Sequence, residues 1–142
     1  GAPTEVEMIE KKHRIEDALE AVNSAQQEGI VLGGGMTLLK ISKALNIEFD
    51  SADQSTSLPI IKKALQSPFD WMAKNSGHNP DVLKVTMGEC DNDEGFNFLT
   101  DRKENLFHSG VIDPAKVTRC AVKNAISVAG TLLLTNHSIV HQ

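Results

Sequence analysis

The stretch EVEMIEKKHRIEDALEAVNSAQQEGIVLGGGMTLLKISKAL, Glu5 to Leu45, decides how the rest of the chain is read. Thr4 with Glu7 three residues on has the spacing of a capping box, so a helix is expected to begin there. Ile15, Ala18, Leu19, Val22 and Ala25 recur at the spacing of one buried stripe, while Glu10, Lys11, Lys12, Arg14, Glu16, Asp17 and Glu20 fall off it. Few apolar residues precede Ile15, so the first half of this helix is expected to lean on other chain. Gly29 is the expected stop, because glycine takes the positive φ that closes a helix. Ile30 to Leu32 reads as a buried connector. Gly33-Gly34-Gly35 then opens a second helix carrying Met36, Leu38, Leu39, Ile41 and Leu45. Glycines at a helix start leave amide groups near a positive dipole end, which suits an anion or a flat ligand; they equally permit close packing of helices. Neither GxxxxGK[ST] nor GxGxxG is present, since Leu38 stands where the last glycine of the second pattern belongs.

Downstream, Asn46 to Ser57 is a polar loop with Asp50, Ser51 and Asp53 as candidate caps. Pro59 is tolerated only in a first turn, which predicts a third helix from about Ser57 bearing Leu58, Ile61, Ala64 and Leu65. Pro68 is expected to break it and start a shorter helix with Phe69, Met72 and Ala73, ended by Gly77, with Trp71 covering the core edge. Asn79 before Pro80 is an N-cap followed by proline at the first helical position, predicting a helix to Met87 closed by Gly88. The acidic run Glu89 to Glu94 is not a calcium loop: counting back from Gly95 as the sixth position puts Cys90 where a carboxylate is required. A hairpin is expected instead, with Gly95 to Thr100 as its returning strand and Asp101 to Ser109 as a short helix. Asp113 is a candidate cap for a long helix starting at Pro114, with Val117, Ala121, Ala125, Val128, Ala129 and Leu132 as a small-residue stripe for a central position. Asn136 to Gln142 reads as an extended end.

The chain of 142 residues suits one domain or a domain with an appendage, and buries about two thirds of its unfolded surface. Apolar residues make up 40% and aromatics only 4%, so the core is expected to be built from Ala, Val, Ile and Leu, which favours closely packed helices. A formal charge of -5 without a basic stripe argues against nucleic acid. Cys90 and Cys120 stand thirty residues apart without a CxxC or a nearby His pair, so they read as free thiols in a reducing compartment, with no metal site. Apolar runs such as Leu132 to Leu134 fall far short of a membrane span. The start at Gly1, with neither an initiator Met nor a signal-type region, reads as the start of an internal piece.

The run Glu5-Val-Glu-Met, Lys11-Lys12, Arg14-Ile-Glu-Asp-Ala-Leu19, Glu28-Gly-Ile-Val and Gly33-Gly-Gly35, followed by Gly95-Phe-Asn97 and Gly110-Val-Ile-Asp-Pro-Ala-Lys-Val-Thr-Arg119, resembles the C-terminal third of a group I chaperonin, the GroEL-type ATPase. The resemblance covers essentially the whole chain, with several separated motifs in the right order. It implies a mainly α fold: the C-terminal part of the helical equatorial domain from Gly29 onward, with a small β-hairpin and a C-terminal edge strand, preceded by a long intermediate-domain helix over residues 1–28. It implies that Asp17 orients or activates the attacking water. Gly34 would lie against the nucleotide, Asn97, Phe98 and Leu99 would contact the base, and Asp113 would accept hydrogen bonds from base or sugar. Phe98 and Leu99 depart from the small residues usual there. His137, Ser138, Ile139 and Val140 would form an edge strand pairing with a neighbouring subunit of a heptameric ring.

The resemblance further implies ATP and magnesium in a longer protein, with the phosphate loop and the magnesium-ligating aspartate outside this chain, which by itself is not expected to hydrolyse ATP. Unfolded polypeptides and a co-chaperonin would bind through an apical domain likewise outside it. The implied compartment is bacterial cytoplasm, mitochondrial matrix or plastid. The alternative is a non-enzymatic helical interaction or oligomerisation module. A complete small nucleotide-binding enzyme would need a basic residue by the glycines; Lys40 follows them by five positions without a usable Ser or Thr pattern.

Overall fold

Thr4 opens the first helix as its spacing predicts: in extended conformation, it accepts the Glu7 amide on its hydroxyl at 3.3 Å. The computed structural model describes residues 1–49, 51–88 and 91–139, with side chains except at 52–54. The expectations resting on Asp50, on the Asp53 side chain, on Cys90 and on Val140 therefore lie outside the described residues. Helix α1 spans Glu5–Glu28, followed by β1 (Ile30–Leu32), α2 (Met36–Ala44), α3 (Ala52–Asn75), α4 (Pro80–Met87), β2 (Glu94–Asn97), β3 (Arg102–Asn105), β4 (Ile112–Pro114) and α5 (Ala115–Leu133). The fold is mainly helical, with, among the described residues, two two-stranded sheets that pair β1 with β4 and β2 with β3. Two compact units result: Gly1–Ile30 with Asp113–Gln142, and Val31–Ile112.

The unit Val31–Ile112 holds the buried core: Leu32, Met36, Leu39, Phe69, Ala73, Leu83, Met87, Phe96 and Leu106. Its central contact is α2 against α3, and glycine sets how close they come. Gly35 has φ +70°, and a Cβ there would stand 2.9 Å from the Phe69 amide nitrogen and 3.0 Å from its Cα. Only a residue with no side chain lets the start of α2 rest on the backbone of α3.

Helix α3 corrects the expectation of two helices. It runs unbroken for 24 residues with both Pro59 and Pro68 inside it. Each proline removes one helical hydrogen bond at a cost of about 3 kcal/mol, yet the apolar positions Leu58, Ile61, Leu65, Phe69 and Met72 keep a three-or-four spacing through Pro68. Burial of Phe69 and Ala73 just past Pro68 offsets the interruption. The helix closes where expected, with the His78 amide reaching back to the Ala73 carbonyl at 2.9 Å across Gly77. Trp71 does not cover the core: it is 60% exposed, with the Lys74 ammonium 4.9 Å from its ring centroid. Helix α4 matches its sequence signals, with Asn79 accepting the Asp81 and Val82 amides and Gly88 at its end. Lys84 of α4 binds Asp70 of α3 at 2.5 Å and Gln66 at 3.1 Å, joining the two helices.

The hairpin is displaced from its expected position. Glu94–Asn97 is the outgoing strand, and Arg102–Asn105, expected as helix, is the return, in the antiparallel register Glu94 to Asn105 and Asn97 to Arg102. The sequence Arg-Lys-Glu-Asn has no strand pattern of its own; it is extended because the buried strand Glu94–Asn97 gives it a partner. Gly95 has no room for a side chain, since a Cβ would meet Leu106 Cδ1 at 2.6 Å and Met36 Cγ at 2.7 Å. Rather than a buried connector throughout, Ile30 to Leu32 is a strand with only Leu32 buried.

In the unit formed by α1 and α5, no residue of either helix is buried. The central, closely packed role expected for α5 is therefore not seen: Val117, Ala121, Ala125, Val128, Ala129 and Leu132 are all exposed. The joint lies at the end of α1 and the start of α5. There the Arg119 guanidinium binds the Glu28 carboxylate through two nitrogens at 2.6 and 2.9 Å, and Lys116 binds Gln27. Asp113 does not cap α5. Pro114 occupies the cap position in extended conformation, and strand β4 holds Asp113 one residue too far back. His137 to Ile139 form no strand, as a lone edge strand has no hydrogen-bonding partner.

Candidate functional site

The glycine triplet divides its labour. Gly33 lies against the backbone of Val111, donating its amide to the Val111 carbonyl at 2.9 Å, and a Cβ there would stand 3.1 Å from the carbonyl carbon of Val111. Gly35 rests on α3. Gly34, with φ +65°, is the open member: a Cβ there would meet nothing closer than the Phe96 carbonyl oxygen at 3.7 Å, Val111 Cγ1 at 3.9 Å and Phe98 Cε2 at 4.0 Å. Both readings of the triplet thus apply to different members, packing for Gly33 and Gly35 and free space for Gly34. The start of α2 has no side-chain cap, so no side chain competes for its first amides.

The same unit brings the β2–β3 turn beside Gly34. Asn97 is only 6% exposed, and both ends of its amide are engaged. Its Oδ1 accepts the Leu99 amide at 2.9 Å, and its Nδ2 donates to Glu104 Oε1 at 2.5 Å. The Asn97 carbonyl accepts the Asp101 amide at 2.9 Å, closing the turn. The Phe98 ring turns inward, 5.0 Å from the Phe96 ring and 5.6 Å from the Phe69 ring. Its bulk is thus taken up by the core. Leu99 is 93% exposed and is the outward side chain of the turn. Asp101 is the only described non-glycine residue with positive φ, at 59°, and its carboxylate meets His78 Nε2 at 2.6 Å.

Glu104 went unnoticed in the sequence. Placed on a helix it had no partner in view; in the observed register it stands opposite Gly95, diagonal to Asn97. The amide of Asn97 and then the hydroxyl of Ser109 hold its carboxyl below the usual carboxylate range against the opposing effect of burial, with a lesser contribution from Thr100.

The remaining candidates belong to the other unit. Asp17 is exposed in mid α1, and among the described residues it has no ion-pair partner, although Glu10 pairs with Arg14 and Lys12 with Glu16 one turn apart. Asp113 precedes α5, and loss of hydration raises its carboxyl above the usual range. His137, Ser138 and Ile139 are exposed.

The unit Val31–Ile112 thus sets an open glycine beside a tightly held turn with one outward apolar side chain. Among the described residues no three His, Cys, Asp or Glu side chains converge. Nor does Lys40 serve as a phosphate ligand of a self-contained site, since its ammonium holds the carbonyls of Asp91 and Asn92 at 2.6 and 2.8 Å. No described helix is long and apolar enough to cross a membrane.

Comparison with known proteins bears on all of this. A sequence model described as the TCP-1/cpn60 chaperonin family matches residues 1–142. Among solved structures, that of a group III chaperonin in the open state is similar, with a TM-score of 0.73 and 30% sequence identity over 98% of this chain. The chain spans 30% of the length of that chaperonin chain.

Proposed function

The chain belongs to the TCP-1/cpn60 chaperonin family, and from that premise we propose that it is part of an ATP-driven protein-folding chaperone of the group I, double-ring kind. The observation that carries the nucleotide reading is the placing of open Gly34 beside the Asn97–Asp101 turn. In this reading residues 1–28 are an intermediate-domain segment and the remainder is the C-terminal part of the equatorial domain. The group I assignment is part of the proposal, since the similar solved structure is group III. The heptameric ring, the co-chaperonin and a bacterial, mitochondrial or plastid compartment go with it.

The residues divide the work as follows. Gly34 lets the nucleotide approach the backbone where any side chain would intrude. Phe98 and Leu99 face the base, Leu99 by its exposed side chain and Phe98 by its backbone, its ring being in the core. Asn97 acts by shaping the turn, both ends of its side chain being engaged within the hairpin. Asp113 accepts hydrogen bonds from base or sugar. Asp17, exposed and without an ion-pair partner among the described residues, orients the attacking water. Phosphoryl transfer asks little covalent chemistry of a protein and much positioning, so one well-placed carboxylate suffices for that role. Magnesium, where bound, would neutralise charge on the phosphates through ligands other than those described here.

Exposed apolar side chains on α1, α5 and the segment after it, such as Ile15, Leu19, Val128, Leu132 and Ile139, support assembly with further chain, as a ring requires. The same feature favours the second reading, an oligomerisation module without nucleotide. Titrating the chain with ATP while following backbone amide resonances separates the two. Shifts at Gly34, Leu99 and Asp113 are expected. A silent spectrum at millimolar ATP, with concentration-dependent self-association, would leave the module reading standing alone.

A further inference from the structure

The turn proposed to face the base is held by a residue outside it. Glu104 Oε1 receives the Asn97 Nδ2 at 2.5 Å and the Thr100 hydroxyl at 3.4 Å, so one carboxylate oxygen grips the turn at its first residue and again three residues on. A carboxylate only accepts hydrogen bonds, whereas a backbone N–H only donates. With Glu104 on one side and the Leu99 amide on the other, the Asn97 side chain has one satisfied orientation: nitrogen to Glu104, oxygen to Leu99. The opposite orientation would set oxygen against oxygen at Asn97, which is only 6% exposed, and leave the Leu99 amide without its side-chain acceptor. At the far end, Asp101 keeps a positive φ of 59° with its carboxylate on His78 Nε2, so the path between the two grips is short and fixed.

We propose that Glu104 is a positioning residue for nucleotide binding, orienting Asn97 and thereby the Leu99 backbone that faces the base. The proposal rests on the nucleotide reading above, and it adds a residue whose only link to the site is through Asn97 and Thr100.

The test uses Glu104→Ala and Glu104→Gln in this chain, with two readouts. The first is amide hydrogen exchange at Leu99 in the absence of nucleotide, with Leu39 and Phe69 as controls for the core. The second is ATP affinity by calorimetry. Loss of one charge-assisted hydrogen bond corresponds to about a tenfold change in an equilibrium. Glu104→Ala is therefore expected to speed Leu99 exchange about tenfold and weaken ATP binding about tenfold, with the core controls unchanged. Glu104→Gln, whose Oε1 still accepts from Asn97, is expected to stay within about threefold of the parent in both. Unchanged Leu99 exchange in Glu104→Ala overturns the proposal. So does faster exchange with unchanged ATP affinity, which leaves nucleotide binding intact but removes the turn from it. Equal damage in both variants with loosened core amides shows a merely structural role and also overturns it. An unsubstituted chain that binds no ATP at millimolar concentration overturns the nucleotide reading, and the positioning role with it.

Discussion

Replacing Gly35 by alanine tests how the core was built, and Gly34→Ala is its internal control. Both glycines have positive φ, +65° and +70°, so alanine at either brings a left-handed conformation that costs about 1–2 kcal/mol. Both substitutions also stiffen the unfolded chain to the same extent, an effect that cancels in the comparison. They differ in what the new methyl meets. At Gly34 the nearest atom is 3.7 Å away, ordinary contact; at Gly35 the methyl would lie 2.9 Å from the Phe69 nitrogen and 3.0 Å from its Cα. Relief requires α2 to move off α3, an overpacking cost of about 1–3 kcal/mol. Gly35→Ala should therefore be less stable than Gly34→Ala by about 1–3 kcal/mol. Urea denaturation reads this directly: with a slope of about 2 kcal/mol per molar, the midpoints should differ by about 0.5–1.5 M. Adding Met72→Ala should not rescue Gly35→Ala, because removing the Met72 methyl, also 2.9 Å away, leaves the backbone clash in place. Equal midpoints for the two alanine variants, or full rescue by Met72→Ala, would refute the claim that the glycine fixes the helix spacing.

Three further outcomes are expected. The Arg119 guanidinium holds the Glu28 carboxyl below its ordinary value, so its contribution to the α1–α5 joint is present above the unfolded pKa and is lost as pH falls through the lowered folded one; Arg119→Ala should return the Glu28 titration, followed by carboxyl NMR, to the ordinary range, and an unmoved midpoint would count against the pairing. Lys84→Ala leaves the part-buried Asp70 carboxylate without its cation and should destabilise the Val31–Ile112 unit by about 1–3 kcal/mol in urea, whereas a change within experimental error would show that water replaces the lysine. Asp17→Ala, made in a ring that contains this segment, should lower ATP turnover about 100-fold while leaving ATP affinity near that of the parent; turnover within a few fold would remove the water-orienting role.

Much of the helical fold was legible because its signals are local. Thr4, Gly29, Asn79 with Pro80, and Gly88 each act within one turn of chain, and each stands where its chemistry predicts. The misreadings fall where distant partners decide. Pro59 and Pro68 are local breakers, but the apolar stripe running past them is tied to α2, and burial won. Arg102 to Asn105 has no strand pattern and becomes a strand because of Glu94 to Asn97. Asp113 and Pro114 have the composition of a cap and a first helical residue, yet β4 holds them extended. For the site, Asp17 and Gly34 were marked by a resemblance, since an exposed carboxylate and one glycine of three have no distinguishing local pattern. Glu104 was invisible for a stronger reason: its meaning depends on a register that only the folded hairpin defines.

The division between the two units also bears on how such a site would work. Among the described residues, every buried residue of the core lies in Val31–Ile112, and the turn bearing Asn97 is gripped there by Glu104, by His78 through Asp101, and by the Phe98 ring. Helices α1 and α5 bury no residue, and the side-chain bonds joining them lie between the end of one and the start of the other. An element with few buried apolar contacts belongs to the low end of the local stability scale, from which moving parts are drawn. Asp17 stands on such an element, eleven residues before the Glu28 end of α1 that Arg119 holds. Gly34 and the Asn97–Leu99 turn, proposed to face a nucleotide, thus lie on the unit that holds the buried core, whereas Asp113, proposed to accept hydrogen bonds from it, and Asp17, proposed to act on water, lie on the unit whose helices bury no residue. A ligand-binding floor gains affinity from being preorganised, whereas a carboxylate that must be absent from one state and present in another needs a support with two positions. The distribution of burial is therefore in keeping with the proposal that Gly34 and the hairpin turn form a preorganised floor and that Asp17 is carried by a less stable element.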